Sequence, residues 1–107
     1  MDTDRASDGW SALADGTRRA IVSRLADGPQ AVGQLAAELP VSRSAVSQHL
    51  KVLKDAGLVS ERAVGTRRVY RLNPTAVAAL RDQLDTFWRR TLASYADAAE
   101  QATEESP

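Results

Sequence analysis

A change of hydrophobic period at a single glycine constrains this chain more than any other feature. Ahead of Gly57, the residues Val46, Leu50 and Leu53 recur at helical spacing. Ser42 is a favourable N-cap for that helix, and Val41 is placed to staple onto Val46. Beyond Gly57, LVSERAV and RRVYRL are short segments rich in β-branched residues and Tyr, joined by Gly65-Thr66. Glycine at the first central position suits a type II′ turn, so the spacing predicts a helix over 42–56 running directly into a β-hairpin.

The flanking segments are helical. Asp8 or Ser7 can cap a short first helix carrying Trp10, Leu13 and Ala14. Asp15 can cap a second, with Ile21, Val22 and Leu25 as its stripe, stopped at Gly28-Pro29. Over residues 30–39, Val32, Leu35, Ala36 and Leu39 predict a third helix, ended by Pro40. Pro74 opens a long last helix to about residue 101, with Val77, Leu80, Leu84, Phe87, Thr91 and Tyr95 as its stripe, widened by Trp88 and Leu92. The expected fold is mainly α with a small β-hairpin, in the order ααααββα of a winged helix-turn-helix. Residues 1–7 read as a flexible N-terminal segment, 8–101 as the winged helix-turn-helix domain, and 102–107 as an acidic flexible tail.

The composition excludes several functions. The chain of 107 residues has no cysteine, which removes disulfides, thiolate metal sites and thiol redox chemistry. It has one histidine, no Gly-rich phosphate loop and no metal-ligand spacing, so catalysis is not expected and no cofactor is called for. No apolar run approaches the ~20 residues that cross a bilayer. The N-terminal MDTDRASDG is acidic where a secretory signal would be basic, and the expected location is the cytoplasm, with no membrane partner. The net charge of zero conceals a pattern of −3 over residues 1–15, +7 over 16–81 and −4 over 82–107. A basic middle between acidic ends suits a polyanion-binding face.

That face can be located. Ser44, Ser47, Gln48, Lys51 and Asp55 share one side of the 42–56 helix, opposite Val46, Leu50 and Leu53. Hydroxyls, an amide and a cation are the groups that read base edges in a major groove, and Arg43 beside them can reach base or backbone. A plain solvated face would more often carry Glu in its first turn than short hydroxyls. Thr66, Arg67 and Arg68 at the hairpin turn suit backbone or minor-groove contact, with Arg62 and Arg71 along the strands. Alone, that edge reads first as a guard against strand pairing, and only together with the preceding helix does phosphate contact become the better reading. Thr17, Arg18 and Arg19 open the second helix, where backbone N–H groups favour a phosphate. His49 lies about 140° around the wheel from Ser44, a half-buried packing position before a phosphate contact or a metal ligand.

The runs LADGTRRAIVSRL, VSRSAVSQHLKVLKDAGLV and GTRRVYRL closely resemble the ArsR/SmtB family of bacterial transcriptional regulators over roughly residues 9–95. The resemblance implies a winged-helix homodimer on a palindromic operator, usually a repressor released by a signal. The residues expected to contact DNA are Thr17, Arg18, Ser42, Arg43, Ser44, Ser47, Gln48, Lys51, Thr66, Arg67 and Arg68. The first and last helices would form the dimer interface, through Trp10, Leu13, Leu84, Phe87, Trp88, Leu92 and Tyr95. The last helix supports this independently, because its stripe is wider and more aromatic than one face of so small a core requires.

The chain departs from the metal-sensing members of that family. Ala31 and Gly33 align with a Cys-x-Cys pair of thiolate sensors, and no histidine follows His49. Asp82, Asp85, Asp97 and Glu100 are hard oxygen donors spread along the last helix, a solvated face before a site. The expected function is therefore a sequence-specific, double-stranded DNA-binding homodimer without an intrinsic tight metal site. A winged-helix protein-interaction module, or a metal-responsive regulator whose site a partner protein completes, are the alternatives. The effector, as a small molecule, a partner or none, stays open.

Overall fold

In the computed structural model, residues 9–105 are described. The expected caps at Ser7 and Asp8 and the segment 1–7 lie outside them, as do residues 106–107. Residues 9–12 are helical. They are followed by α1 (Gly16–Ala26), β1 (Gln30–Ala31), α2 (Val32–Glu38), α3 (Arg43–Asp55), β2 (Val59–Val64), β3 (Arg67–Leu72) and α4 (Pro74–Glu105).

Each boundary has a local cause. The Asp15 carboxylate accepts from the backbone N–H groups of Thr17 at 2.8 Å and Arg18 at 3.0 Å, satisfying two donors that open α1. Ser42 Oγ accepts from Ala45 N at 3.1 Å at the start of α3. At its end, Gly57 adopts φ +80°, and Gly57 N–H and Leu58 N–H donate to the Lys54 and Leu53 carbonyls. This Schellman closure turns the chain sharply into β2. The hairpin pairs Val64 with Arg67 across two turn residues. Gly65 has φ +62°, while no non-glycine residue has positive φ among the described residues, which is the type II′ pattern.

The third helix differs from expectation. Gln30 and Ala31 are not helical; they form β1 and pair antiparallel with Tyr70 and Val69, giving a three-stranded sheet in the order β1-β3-β2. The pairing takes up backbone groups that would otherwise lie on an open edge of β3. Helix α2 then starts at Val32, where Gln34 Oε1 accepts from Ala31 N–H at 2.8 Å.

Ile21, Leu35, Val46, Leu50 and Leu53 are fully buried, so the apolar stripes of α1, α2 and α3 meet in one core. Leu58 and Val59 extend it under the sheet, and Leu80 closes it from α4. Helix α4 runs to Glu105, past the end expected near residue 101. Its 32 residues span about 48 Å, far more than the core can cover. Only its first two turns pack, through Ala76, Val77 and Leu80, and every residue from Arg81 to Thr103 is exposed. No helix among the described residues is long and apolar enough to cross a membrane.

Candidate nucleic-acid interface

Burying Val46, Leu50 and Leu53 turns the opposite face of α3 to solvent. Ser42, Arg43, Ser44, Ser47, Gln48 and Lys51 are all exposed. The first hydroxyls are locally organised, because Ser42 Oγ both caps Ala45 N–H and lies 3.2 Å from Ser44 Oγ. Gln48 and Lys51, one and two turns in, form no hydrogen bond or ion pair within the chain among the described residues.

The wing joins this face. Glu61 to Val64 and Arg67 to Tyr70 project the turn away from the core, leaving Thr66, Arg67 and Arg68 exposed. A cleft of about 670 Å³ lies between wing and α3, lined by Arg43, Ser47, Thr66, Arg67 and Arg68 with the N-terminal part of α2. Three guanidiniums around one open cleft, next to a row of short polar side chains, form a surface matched to phosphates flanking a groove.

Arg18 is placed differently from the expectation. Its Nε donates to the Ala12 carbonyl at 2.6 Å, and its Nη1 lies 3.3 Å from His49 Nδ1. Its guanidinium is thus engaged inward, tying the residues before α1 to α3, and Thr17 is half-buried beside it. His49 is half-buried, as its wheel position indicates, and serves as Arg18's partner. The backbone N–H bonds from Arg18 and Thr17, foremost that from Arg18, hold the Asp15 carboxyl below the usual carboxylate range.

The aromatic stripe of α4 lies exposed in the single chain: Phe87 is 58%, Leu92 61% and Tyr95 72% accessible, with Leu84 and Trp88 beside them. Phe87 and Trp88 meet edge-on with ring centroids 5.5 Å apart. Trp10 is also exposed, and its Nε1–H donates to Gln83 Oε1 at 3.3 Å, which carries the stripe across to the N-terminal helical turn. Leu13 instead packs against the core.

Comparison with known proteins gives this arrangement its family. The sequence pattern of bacterial regulatory proteins of the arsR family matches residues 15–61. The chain is 68% identical over 97 residues to the HTH-type transcriptional regulator Rv2034 of Mycobacterium tuberculosis (strain ATCC 25618 / H37Rv), across 90% of this chain and 91% of that one. It belongs to the ArsR family. A crystal structure of a possible transcriptional regulator for arsenical resistance superposes with a TM-score of 0.71 at 47% identity, over 81% of this chain and 95% of that one. The solution structure of a homodimeric winged helix-turn-helix DNA-binding domain from Mycobacterium bovis gives a TM-score of 0.68 at 30% identity, over 78% and 79% of the two chains. The chain is accordingly an ArsR-family winged-helix transcriptional regulator, not an enzyme.

Ala31 and Gly33, set above against the Cys-x-Cys pair of thiolate sensors, carry no metal-donor side chain. Ala31 is a buried strand residue paired with Val69, and Gly33 has no side chain at all. Among the described residues, no three His, Asp or Glu side chains gather where they could hold an ion.

Two positions in this ArsR fold were not singled out from sequence. Asn73 accepts from Ala76 N–H at 3.4 Å, donates Nδ2–H to the Gly57 carbonyl at 3.2 Å, and its backbone N–H donates to Leu58 O. It therefore links the end of α3 to the start of α4. Asn followed by Pro is a recognisable cap signal, although its second bond to Gly57 is not local. Glu61 is the other, and its two cationic partners become neighbours only when the hairpin folds back.

Proposed function

We propose that this regulator is a homodimer that binds double-stranded DNA sequence-specifically at a palindromic operator. Helix α3 enters the major groove with Ser44, Ser47, Gln48 and Lys51 towards base edges, and Arg43 between base and backbone. Thr66, Arg67 and Arg68 contact the adjacent backbone. Arg18 is omitted from this set because its guanidinium is spent on Ala12 and His49. The observation that carries the reading is the shared cleft, in which Arg43 and Ser47 of α3 face Thr66, Arg67 and Arg68 of the wing.

The two copies associate through α4, with Leu84, Phe87, Trp88, Leu92 and Tyr95 packed against their symmetry mates and Trp10 flanking them; Leu13 is left out because it packs against the core. The homodimeric M. bovis neighbour supports this mode of assembly. Two-fold symmetry then sets half-sites about one helical turn apart, near 10 bp. Repression follows where the operator overlaps a promoter. The protein builds no tight transition-metal site of its own, in keeping with its single histidine and lack of cysteine.

Binding to the duplex upstream of its own gene, followed by fluorescence anisotropy at two salt concentrations with and without Zn or Ni, tests the reading. The expected result is tight, selective binding that weakens steeply with salt and ignores metal. Equal affinity for random DNA, or a salt-insensitive interaction, contradicts it and favours a protein-binding winged helix. A stoichiometric submicromolar Zn or Ni site in calorimetry contradicts the metal-free part.

A further inference from the structure

The wing carries one acid among its cations, and that acid is placed to compete with DNA. Glu61 Oε1 accepts from Lys54 Nζ at 2.5 Å and from Arg68 Nη1 at 3.0 Å. Lys54 stands in the last turn of α3 and Arg68 next to the hairpin turn, so one carboxylate spans the two elements that face the groove. The Glu61 side chain is 18% accessible, against 48% for Lys54 and 70% for Arg68. The acid is thus the least exposed of the three, while Lys54 keeps about half and Arg68 most of its side-chain surface free. Tyr70 sits directly opposite Glu61 in the β2–β3 register. Arg67, one residue from Arg68, forms no ion pair among the described residues.

We propose that Glu61 is an internal substitute for a DNA phosphate: it holds Lys54 and Arg68 in place, fixes the wing against α3, and withholds both cations from indiscriminate backbone contact. This rests on the DNA-binding reading above. A carboxylate bridging two cations satisfies them as a phosphate oxygen would, and random DNA gains little by displacing it. A cognate site, which aligns α3 and the wing together, exploits the arrangement already held by Glu61. Glu61 is therefore a positioning residue for specificity, contributing discrimination at some expense of raw affinity.

Glu61→Gln tests this, with fold checked by circular dichroism. Two duplexes are used as probes: one of random sequence, and one selected from a randomised pool by the wild-type protein. The variant is expected to bind the random duplex about tenfold more tightly near 0.1 M salt, with the log–log salt slope steeper by ~1–2, as one or two more phosphates are neutralised. Its preference for the selected duplex falls several-fold. A second arm compares the neighbouring arginines in both backgrounds: in the wild type, Arg67→Ala weakens random-duplex binding more than Arg68→Ala, and in the Glu61→Gln background the two become equal. An unchanged slope and equal Arg67 and Arg68 effects in both backgrounds would overturn the proposal while leaving DNA binding intact. A wild type without salt-dependent duplex binding overturns the underlying reading, and this proposal with it.

Discussion

Between Gly16 and Leu80, each helix and the sheet bring apolar side chains to a shared core, whereas from Arg81 to Thr103 every residue is exposed. The two regions do not differ in apolar content. Leu50 and Leu53 are fully buried, while Leu84, Phe87, Trp88, Leu92 and Tyr95 stand open on a helix of equal regularity. The first region satisfies itself, because the stripes of α1, α2 and α3 face one another. Among the described residues the second presents its stripe to nothing that covers it, which is how a surface built for another copy looks. The side chains proposed to face DNA sit on the self-sufficient region, and in the proposed dimer the open one sets the spacing between two such sets.

The contrast can be broken most severely from the open side. Replacing Phe87 and Leu92 together by Asp removes ~1.5–3 kcal/mol of burial at each site, and two-fold symmetry doubles the loss. Sedimentation should then show a monomer at micromolar concentration with nearly unchanged helix content, and operator affinity should drop by at least ~100-fold. A dimer that persists would mean that the aromatic stripe is not the interface.

Leu50→Ala acts on the other region. It empties part of a fully buried site and should cost ~2–5 kcal/mol in denaturant unfolding, without altering how folded chains associate. Gln48→Ala should leave both stability and dimerisation untouched. It should relax base preference at one position per half-site by ~1–3 kcal/mol, read from competition with base-substituted duplexes.

Acid sharpens the contrast most gently. Hydrogen bonding from Lys54, then from Tyr70 and Arg68, lowers the Glu61 carboxyl from 4.5 to about 2. A carboxyl lowered on folding stabilises the protein fully above its unfolded value, and that contribution disappears as pH falls through about 2. Glu61→Gln should therefore flatten the acid limb of the stability curve between those values. Asp85, held low mainly by its hydrogen bond from Arg89 on the exposed helix, belongs to the open region, and Asp85→Asn should flatten the curve less.

Most of the self-sufficient region was legible in the sequence because its signals are local. Asp15 and Ser42 cap the helices they precede, Gly57 stops α3, and Gly65 forms the hairpin turn. What sequence did not reveal depends on contacts between distant residues. Gln30 and Ala31 continue the apolar pattern of α2, yet the edge of β3 at Val69 and Tyr70 takes them into a sheet. Arg18 opens α1 as a phosphate-binding residue would, and only the approach of His49, 31 residues later, turns it inward. The α3 face was readable because burying one stripe of a helix dictates the opposite one. The Glu61 bridge was not, since Lys54 and Arg68 are each seven residues away in opposite directions.

The most direct test of the central claim is the mass of the native protein in solution by sedimentation equilibrium, with and without a selected duplex. A free species of twice the 11.5 kDa chain mass is expected, and in the complex two chains together with one duplex carrying an inverted repeat. A species of 11.5 kDa that binds DNA with full affinity as a single chain would contradict it.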